Sequence, residues 1–295
     1  MTGAPIAEEY FRLRARGGHA PLARRWSSGA PIRAIMVVAH GMGEHAGRYK
    51  APLEAILRRG VDVVAIDHRG HGEDALAAGS LGDYGEGGFD GVEADLLALV
   101  EWARAAAPGL PLILLGHSMG SMIAQALAID HGDRLDGLIL SGSVAVDHIP
   151  AGGDPAGLIA ALNSPFEPAR TPFDWLSRDE AEVDLYLADP LCGFGLTEAS
   201  FASLAAAGPR LADPGSLAAI PDDLPIYIFS GDRDPLHCVL GGVTPLIERY
   251  RAAGKTVESR LYEGGRHEML NETNRAEVAD DLWRWLSLLL SEEKR

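Results

Sequence analysis

From residue 33 onward, short apolar runs alternate with longer helical stretches, an order that few architectures accept. A strand without polar alternation must be covered on both faces. A series of such strands separated by helices therefore closes into a parallel sheet with crossover helices. The strands read as Ile35–Ala39, Val61–Ile66, Leu112–Leu115, Leu138–Leu140, Ile226–Phe229 and Thr256–Tyr262. Helices are expected over Tyr49–Arg59, Gly91–Ala107, Met119–Asp130, Val243–Ala253 and Asn274–Leu290, the second of them stopped by Pro108-Gly109. Upstream, Tyr10–Arg16 and Ala20–Trp26 flank Gly17-Gly18 and read as an antiparallel hairpin on the sheet edge. The fold class is α/β, a mostly parallel sheet with helices on both faces.

Residues 146–219 interrupt the alternation with Pro, Gly, Ala and Asp, and with short helical pieces near Asp179–Leu187 and Glu198–Ala207. Phe166, Phe173, Trp175, Tyr186, Phe194 and Phe201 give this stretch enough apolar area to pack onto a partner surface. Insertions of this kind on α/β scaffolds serve sites at the carboxyl ends of strands, so the stretch reads as a helical cap. The expected organisation is a first core part over 1–145, the cap over 146–219 and a second core part over 220–295.

Charge narrows the partners. With 26 basic and 42 acidic side chains the net charge is −16, and such a field repels nucleic acid and anionic lipid surfaces. Cys192 and Cys238 are too few for a disulfide framework and have no zinc spacing, which suits a reducing cytoplasm. The N-terminus lacks the basic start and apolar run of a secretory signal, and no apolar run approaches the roughly 20 residues of a membrane span. The two thiols carry two readings, inert buried side chains or, for Cys238, a lining of the substrate pocket.

Gly116-His117-Ser118-Met119-Gly120 follows an apolar strand and opens a helix. Its glycines allow a sharp turn that lifts the Ser118 hydroxyl above the sheet, with the Met119 amide facing developing negative charge. A serine needs a base, and the base an orienting acid. In this scaffold they follow in that reverse order, acid then histidine. His267, in the loop Glu263–Glu268 between the last strand and the last helix, is placed to swing over the sheet. The loop Ser230–Pro235 offers two competing acids, Asp232 and Asp234. His40-Gly41-Met42-Gly43 after the first parallel strand has the form of a second oxyanion donor, the Met42 amide. His40 and His45 lack a third ligand at metal spacing, and Gly85–Gly88 lacks the strand and Lys of a phosphate loop, so neither metal nor cofactor is expected. Asp67-His68-Arg69-Gly70-His71-Gly72 reads as a structural loop held by an Asp–Arg or His hydrogen bond.

Taken together, His40–His45 with Gly47-Arg48-Tyr49, Asp67–Gly72, Gly116–Gly120, Gly231–Asp234 and His267 resemble the monoacylglycerol lipase and lysophospholipase-like branch of the α/β-hydrolase superfamily, the serine aminopeptidase S33-like hydrolases. The likeness covers nearly the whole chain outside the cap. It implies the α/β-hydrolase fold, nucleophile Ser118, base His267 and oxyanion donors Met42 and Met119. Its G-x-x-D pattern favours Asp234 as the acid. It also implies a serine ester hydrolase acting on a small acyl ester or lipid, monoacylglycerols or medium-chain esters first and lysophospholipids second, with transient contact to lipid aggregates through the cap. A peptidase or cofactor-free peroxidase on the same scaffold is a third expectation. From another class comes a catalytically inactive ligand-binding protein, which a complete triad argues against. The chain departs from the pattern at Ser121, where a second glycine is usual, and at Glu73-Asp74-Ala75.

Overall fold

The computed structural model describes residues 5–15, 18–150 and 155–291. Eight strands form one sheet: β1 (Ala7–Arg12), β2 (Leu22–Ser27), β3 (Ala34–Ala39), β4 (Val61–Ile66), β5 (Leu112–His117), β6 (Gly137–Ser141), β7 (Ile226–Gly231) and β8 (Val257–Tyr262). Their spatial order is β1-β2-β4-β3-β5-β6-β7-β8. β1 and β2 form the expected antiparallel edge hairpin, with Phe11 opposite Ala23, and β2 also runs antiparallel to β4, while β3 to β8 are parallel to one another. Of that hairpin, Arg16 and Gly17 lie outside the described residues.

β3 to β7 are buried along their whole length, as strands covered on both faces must be. Their period of two divides the core. Ile35, Val37 and Ala39 pack on one face, under α3 (Gly88–Ala106) and α4 (Met119–His131). Met36 and Val38 pack on the other, with Trp26 and Leu282 of the last helix, Arg275–Ser291. α4 is buried nearly all round and reads apolar on every side, as befits a helix between sheet and neighbouring helices.

One expected helix is much shorter. Instead of running Tyr49–Arg59, the chain makes a 3-10 turn at Ala46–Tyr49 and a four-residue helix, α1 (Glu54–Leu57). Pro52 separates them, because it donates no amide and its ring crowds the carbonyl of the preceding turn. A short helix the sequence reading omitted, α2 (Gly72–Ala78), follows β4.

Between β6 and β7 the described residues hold α5 (Pro155–Asn163), α6 (Glu180–Ala188), α7 (Glu198–Ala212) and α8 (Pro214–Ala218). α5 was not expected, and α7 runs through Pro209, five residues past its expected end at Ala207. Buried Leu204, Ala205 and Leu211 anchor α7 on both sides of that proline and offset its missing hydrogen bond. α9 (Leu236–Leu240), α10 (Thr244–Ala252) and the terminal α11 (Arg275–Ser291) complete the chain.

Candidate active site

Ser118 stands between β5 and α4 at φ 51° and ψ −122°, the one non-glycine residue with positive φ among the described residues. Such strain persists only where the surroundings enforce it. The flanking glycines show how. A Cβ on Gly116 would lie 2.6 Å from the Gly120 carbonyl oxygen, and one on Gly120 would lie 2.1 Å from that of Ala39. No side chain fits either place, so the turn closes tightly and drives the serine outward. Ser121 is fully buried, and its hydroxyl donates to the Ser118 carbonyl at 2.5 Å and meets Ser143 Oγ at 2.7 Å. The hydroxyl thus finds partners where a glycine would need none.

His267 and Asp234 meet behind this turn. His267 Nδ1 lies 2.9 Å from Asp234 Oδ2, and both side chains are buried. Asp234 also accepts from Ser230 Oγ at 2.9 Å and from the Leu236 amide at 3.0 Å. Burial alone would raise its pKa, but the neighbouring His267 charge and these donors outweigh it and hold the carboxyl below its usual range. Burial likewise opposes protonation of His267. Asp234, with Glu268 and Glu44 beyond, reverses that and lifts the imidazole above its ordinary value. Asp232, the rival acid, is exposed and accepts from the Gly264 amide at 2.8 Å, which makes it a turn residue. The two loops touch closely: a Cβ on Gly231 would lie 1.9 Å from the Gly265 carbonyl oxygen.

Ser118, His267, Met42 and Met119 all line one cleft with about 780 Å³ of empty space, part of it open to solvent. Asp234 sits behind His267. Met119 is the first residue of α4, so its amide has no acceptor within the helix. The rest of the lining is mostly apolar and comes largely from the β6–β7 segment and α9, with Leu158, Leu162, Trp175, Phe201, Leu236 and Leu240 prominent. Trp175 packs on the His267 ring at 4.9 Å, and its carbonyl accepts from the His267 amide at 3.4 Å.

One end of the cleft is polar, lined by Glu44 and Glu268 with Arg48 and Tyr49 behind them in an adjoining small pocket, and most of this the sequence reading missed. Arg48 makes two hydrogen bonds to Glu268, at 2.7 and 2.8 Å, and one to Glu44 at 2.7 Å. Glu44 accepts further from the Gly41 amide and the Tyr49 hydroxyl. Burial would neutralise Glu44, but Arg48 keeps it ionised and well below the usual carboxylate range. Glu44, Arg48 and Tyr49 fall within the motif after β3, which was the available signal; Glu268 carried none beyond standing next to His267.

Two expectations fail. Cys238 is exposed on the outer side of α9, where Leu236 and Leu240 take the cleft-facing positions, so it neither lines the pocket nor is buried. Cys192 is half-buried, and burial pushes its thiol up strongly. Its sulfur lies with His45 and Asp189 in a group of metal-ligand types. Yet His45 Nδ1 accepts from the Gly47 amide and Nε2 lies 3.0 Å from Asp189, so the ring proton sits on the nitrogen a metal would need. Asp67–His71 is a loop as expected, with Gly72 already opening α2, although its arginine pairs with Asp95 rather than Asp67.

The family model described as serine aminopeptidase, S33, matches residues 30–274. The chain is 32% identical to a monoacylglycerol lipase of Mycolicibacterium smegmatis, over 88% of this chain and 90% of that one. It is 30% identical to the human monoglyceride lipase, over 91% and 86% respectively. In structure it is similar to a thermostable carboxyl esterase from Bacillus coagulans in complex with glycerol, with a TM-score of 0.85, 28% identity, and coverage of 97% of this chain and 100% of that one. With its eight-stranded, mostly parallel sheet, the chain belongs to the serine aminopeptidase S33 family of α/β-hydrolases and is a hydrolase.

Proposed function

We propose that the protein is a serine carboxylic-ester hydrolase that cleaves monoacylglycerols and similar acyl esters through an acyl-serine intermediate. The carrying observation is the Asp234–His267 pair opening, together with strained Ser118, onto one largely apolar cleft. Ser118 attacks the ester carbonyl while His267 Nε2 takes its proton. The Met42 and Met119 amides receive the negative charge on the carbonyl oxygen. His267 then returns the proton to the leaving alcohol, and water repeats the sequence in reverse to free the acid. Asp234 keeps the imidazole in the tautomer with its proton on Nδ1 and stabilises the imidazolium.

Residues 146–219 act as the cap, and the acyl chain lies beneath them against Leu158, Leu162 and Phe201. The alcohol part faces Glu44 and Glu268, carboxylates braced by Arg48 from behind and able to accept from free hydroxyls. Two carboxylates around one guanidinium leave no positive charge for a phosphate, which favours a glycerol ester over a lysophospholipid. Leu185 and Leu187 are exposed on α6 and support transient contact of the cap with lipid aggregates. Among the described residues no helix is long and apolar enough to cross a membrane. Two free cysteines suit the cytoplasm.

The test is a fluorophosphonate probe together with paired substrates. Ser118 is expected to be labelled, and Ser118→Ala to lose both label and esterase activity by a factor of at least about 10³. Monoacylglycerol is expected to be cleaved faster than a lysophospholipid of equal acyl length. Wild-type turnover in Ser118→Ala would end the reading.

A further inference from the structure

The Asp67–Gly72 loop takes part in none of these steps, yet it grips the turn that carries Met42. Three bonds join the two. The Ala46 amide donates to Asp67 Oδ1 at 2.8 Å, the His68 amide to His40 Nε2 at 3.0 Å, and the Gly43 amide to His71 Nε2 at 3.3 Å. Each ring is therefore an acceptor at Nε2 and carries its proton on Nδ1. There His40 donates to the Gly41 carbonyl at 2.8 Å and His71 to the Arg69 carbonyl at 2.9 Å. The Gly41 carbonyl and the Met42 amide belong to one peptide plane, so His40 sets the direction of the Met42 N–H.

The cap segment holds the other side of the turn. The Gly43 carbonyl accepts from the Tyr186 hydroxyl at 2.7 Å and from the Gly193 amide at 3.0 Å. The Phe194 carbonyl oxygen stands 2.3 Å from where a Cβ on Gly43 would be, and Gly43 has φ 66°. The Phe194 ring packs on His71 at 5.0 Å. Gly43 thus has its amide in the grip of the β4 loop and its carbonyl in the grip of residues 186–193.

We propose that His71 and Tyr186 are positioning residues for the Met42 amide, so that the second oxyanion donor is aligned only when the 186–194 segment is seated on Gly43. The inference rests on the proposed hydrolase reading, in which Met42 is that donor. It gives the two otherwise idle histidines a task that requires them neutral. Burial supports this, pushing His40 down to about 4 and His71 to about 3. It also couples the cap to chemistry as well as to binding: displacement of 186–194 releases Gly43, and the donor loses its fixed direction.

Tyr186→Phe removes one hydroxyl and keeps the ring that walls the cleft, so a short ester, p-nitrophenyl acetate, separates alignment from acyl binding. Losing an oxyanion donor outright costs about 10²–10³ in turnover, and misaligning one is expected to lower kcat by about tenfold, with KM within about twofold. Affinity for phenylboronic acid, whose tetrahedral adduct uses the same donors, is expected to fall by a similar factor. His71→Ala is expected to behave alike, with His71→Gln, which restores an acceptor, recovering part of the loss. Thermal unfolding of each variant checks the fold. A Tyr186→Phe variant with wild-type kcat, or one changed in KM alone, overturns the inference. Ser118→Ala run in parallel keeps the two levels apart: if it retains activity the hydrolase reading fails, and if it is dead while Tyr186→Phe is unimpaired only the grip fails.

Discussion

Asp234→Asn replaces one atom in a site where three donors converge. Oδ2 accepts from His267 Nδ1 and Ser230 Oγ, and Oδ1 accepts from the Leu236 amide. A carboxamide offers one acceptor end and one donor end, so it has two choices. With its oxygen on Leu236, its NH2 faces His267 and forces the imidazole proton onto Nε2, the nitrogen that must take the serine proton. With its oxygen on His267, two donors collide at Leu236 inside a site 2% exposed to solvent, an unsatisfied contact worth about 1–3 kcal/mol. The first arrangement is favoured, and it holds the base in the wrong tautomer.

Loss of the negative charge adds to this, because among the described residues no other carboxylate is hydrogen-bonded to the ring nitrogens of the imidazolium that the proposed attack forms. The expected fall in kcat is about 10³–10⁴, which at 1.36 kcal/mol per tenfold is about 4–5.5 kcal/mol of lost transition-state stabilisation. Asp232→Asn serves as the matched control. Its single bond, from the Gly264 amide, is to an exposed oxygen that asparagine reproduces, so kcat is expected within about twofold of wild type. The assay is p-nitrophenyl butyrate hydrolysis at saturating substrate, with circular dichroism to confirm the fold. An Asp234→Asn enzyme within tenfold of wild type, or an Asp232→Asn enzyme that is the more damaged, would refute the argument.

The pH dependence of kcat/KM follows from the same pair. His267 must be neutral to accept a proton, and its raised pKa places the rise in activity above the ordinary histidine value of about 6.5; a midpoint below that value counts against it. In the residual activity of Asp234→Asn the midpoint is expected to move down, since the main group raising it is gone. Gly120→Ala would set a Cβ 2.1 Å from the Ala39 carbonyl oxygen and is expected to cost at least about 3 kcal/mol, read by urea denaturation; an unchanged midpoint would mean the turn relaxes freely. Dialysis against EDTA is expected to leave activity unchanged, because His45 presents a protonated nitrogen to Asp189; a loss restored by zinc would make His45, Asp189 and Cys192 a metal site.

The strands and the tight turn at Ser118 were legible because their causes are local. Each buried strand is an unbroken apolar run, and the turn at Ser118 is dictated by glycines two residues to either side. Helix lengths were less legible where one residue overrode the pattern, as Pro52 does between Tyr49 and Glu54. The opposite happened at Pro209, where packing carried the helix through. Burial of a single side chain was also poorly marked: Cys238 is of a type commonly buried, but the neighbouring leucines occupy the inward positions of a helix too short for a periodic signal.

The polar end of the cleft lay beyond reach for a different reason. Arg48 and Glu268 are separated by 220 positions, and Tyr186 and Gly43 by 143. No local pattern encodes such pairs; they exist because the loops after β3 and β8 both leave the carboxyl ends of parallel strands, and α6 packs over the same end. The motif after β3 supplied Glu44, Arg48 and Tyr49 as letters without saying that one carboxylate would brace an amide, a phenol and a guanidinium at once. A buried arginine between two carboxylates is costly unless every donor is used, and here the fold alone supplies the second acid. That makes the loop carrying His267 answerable to the turn after β3: Glu268 ties it through Arg48 to Glu44, and Glu44 holds Gly41 one residue before Met42, the proposed oxyanion donor.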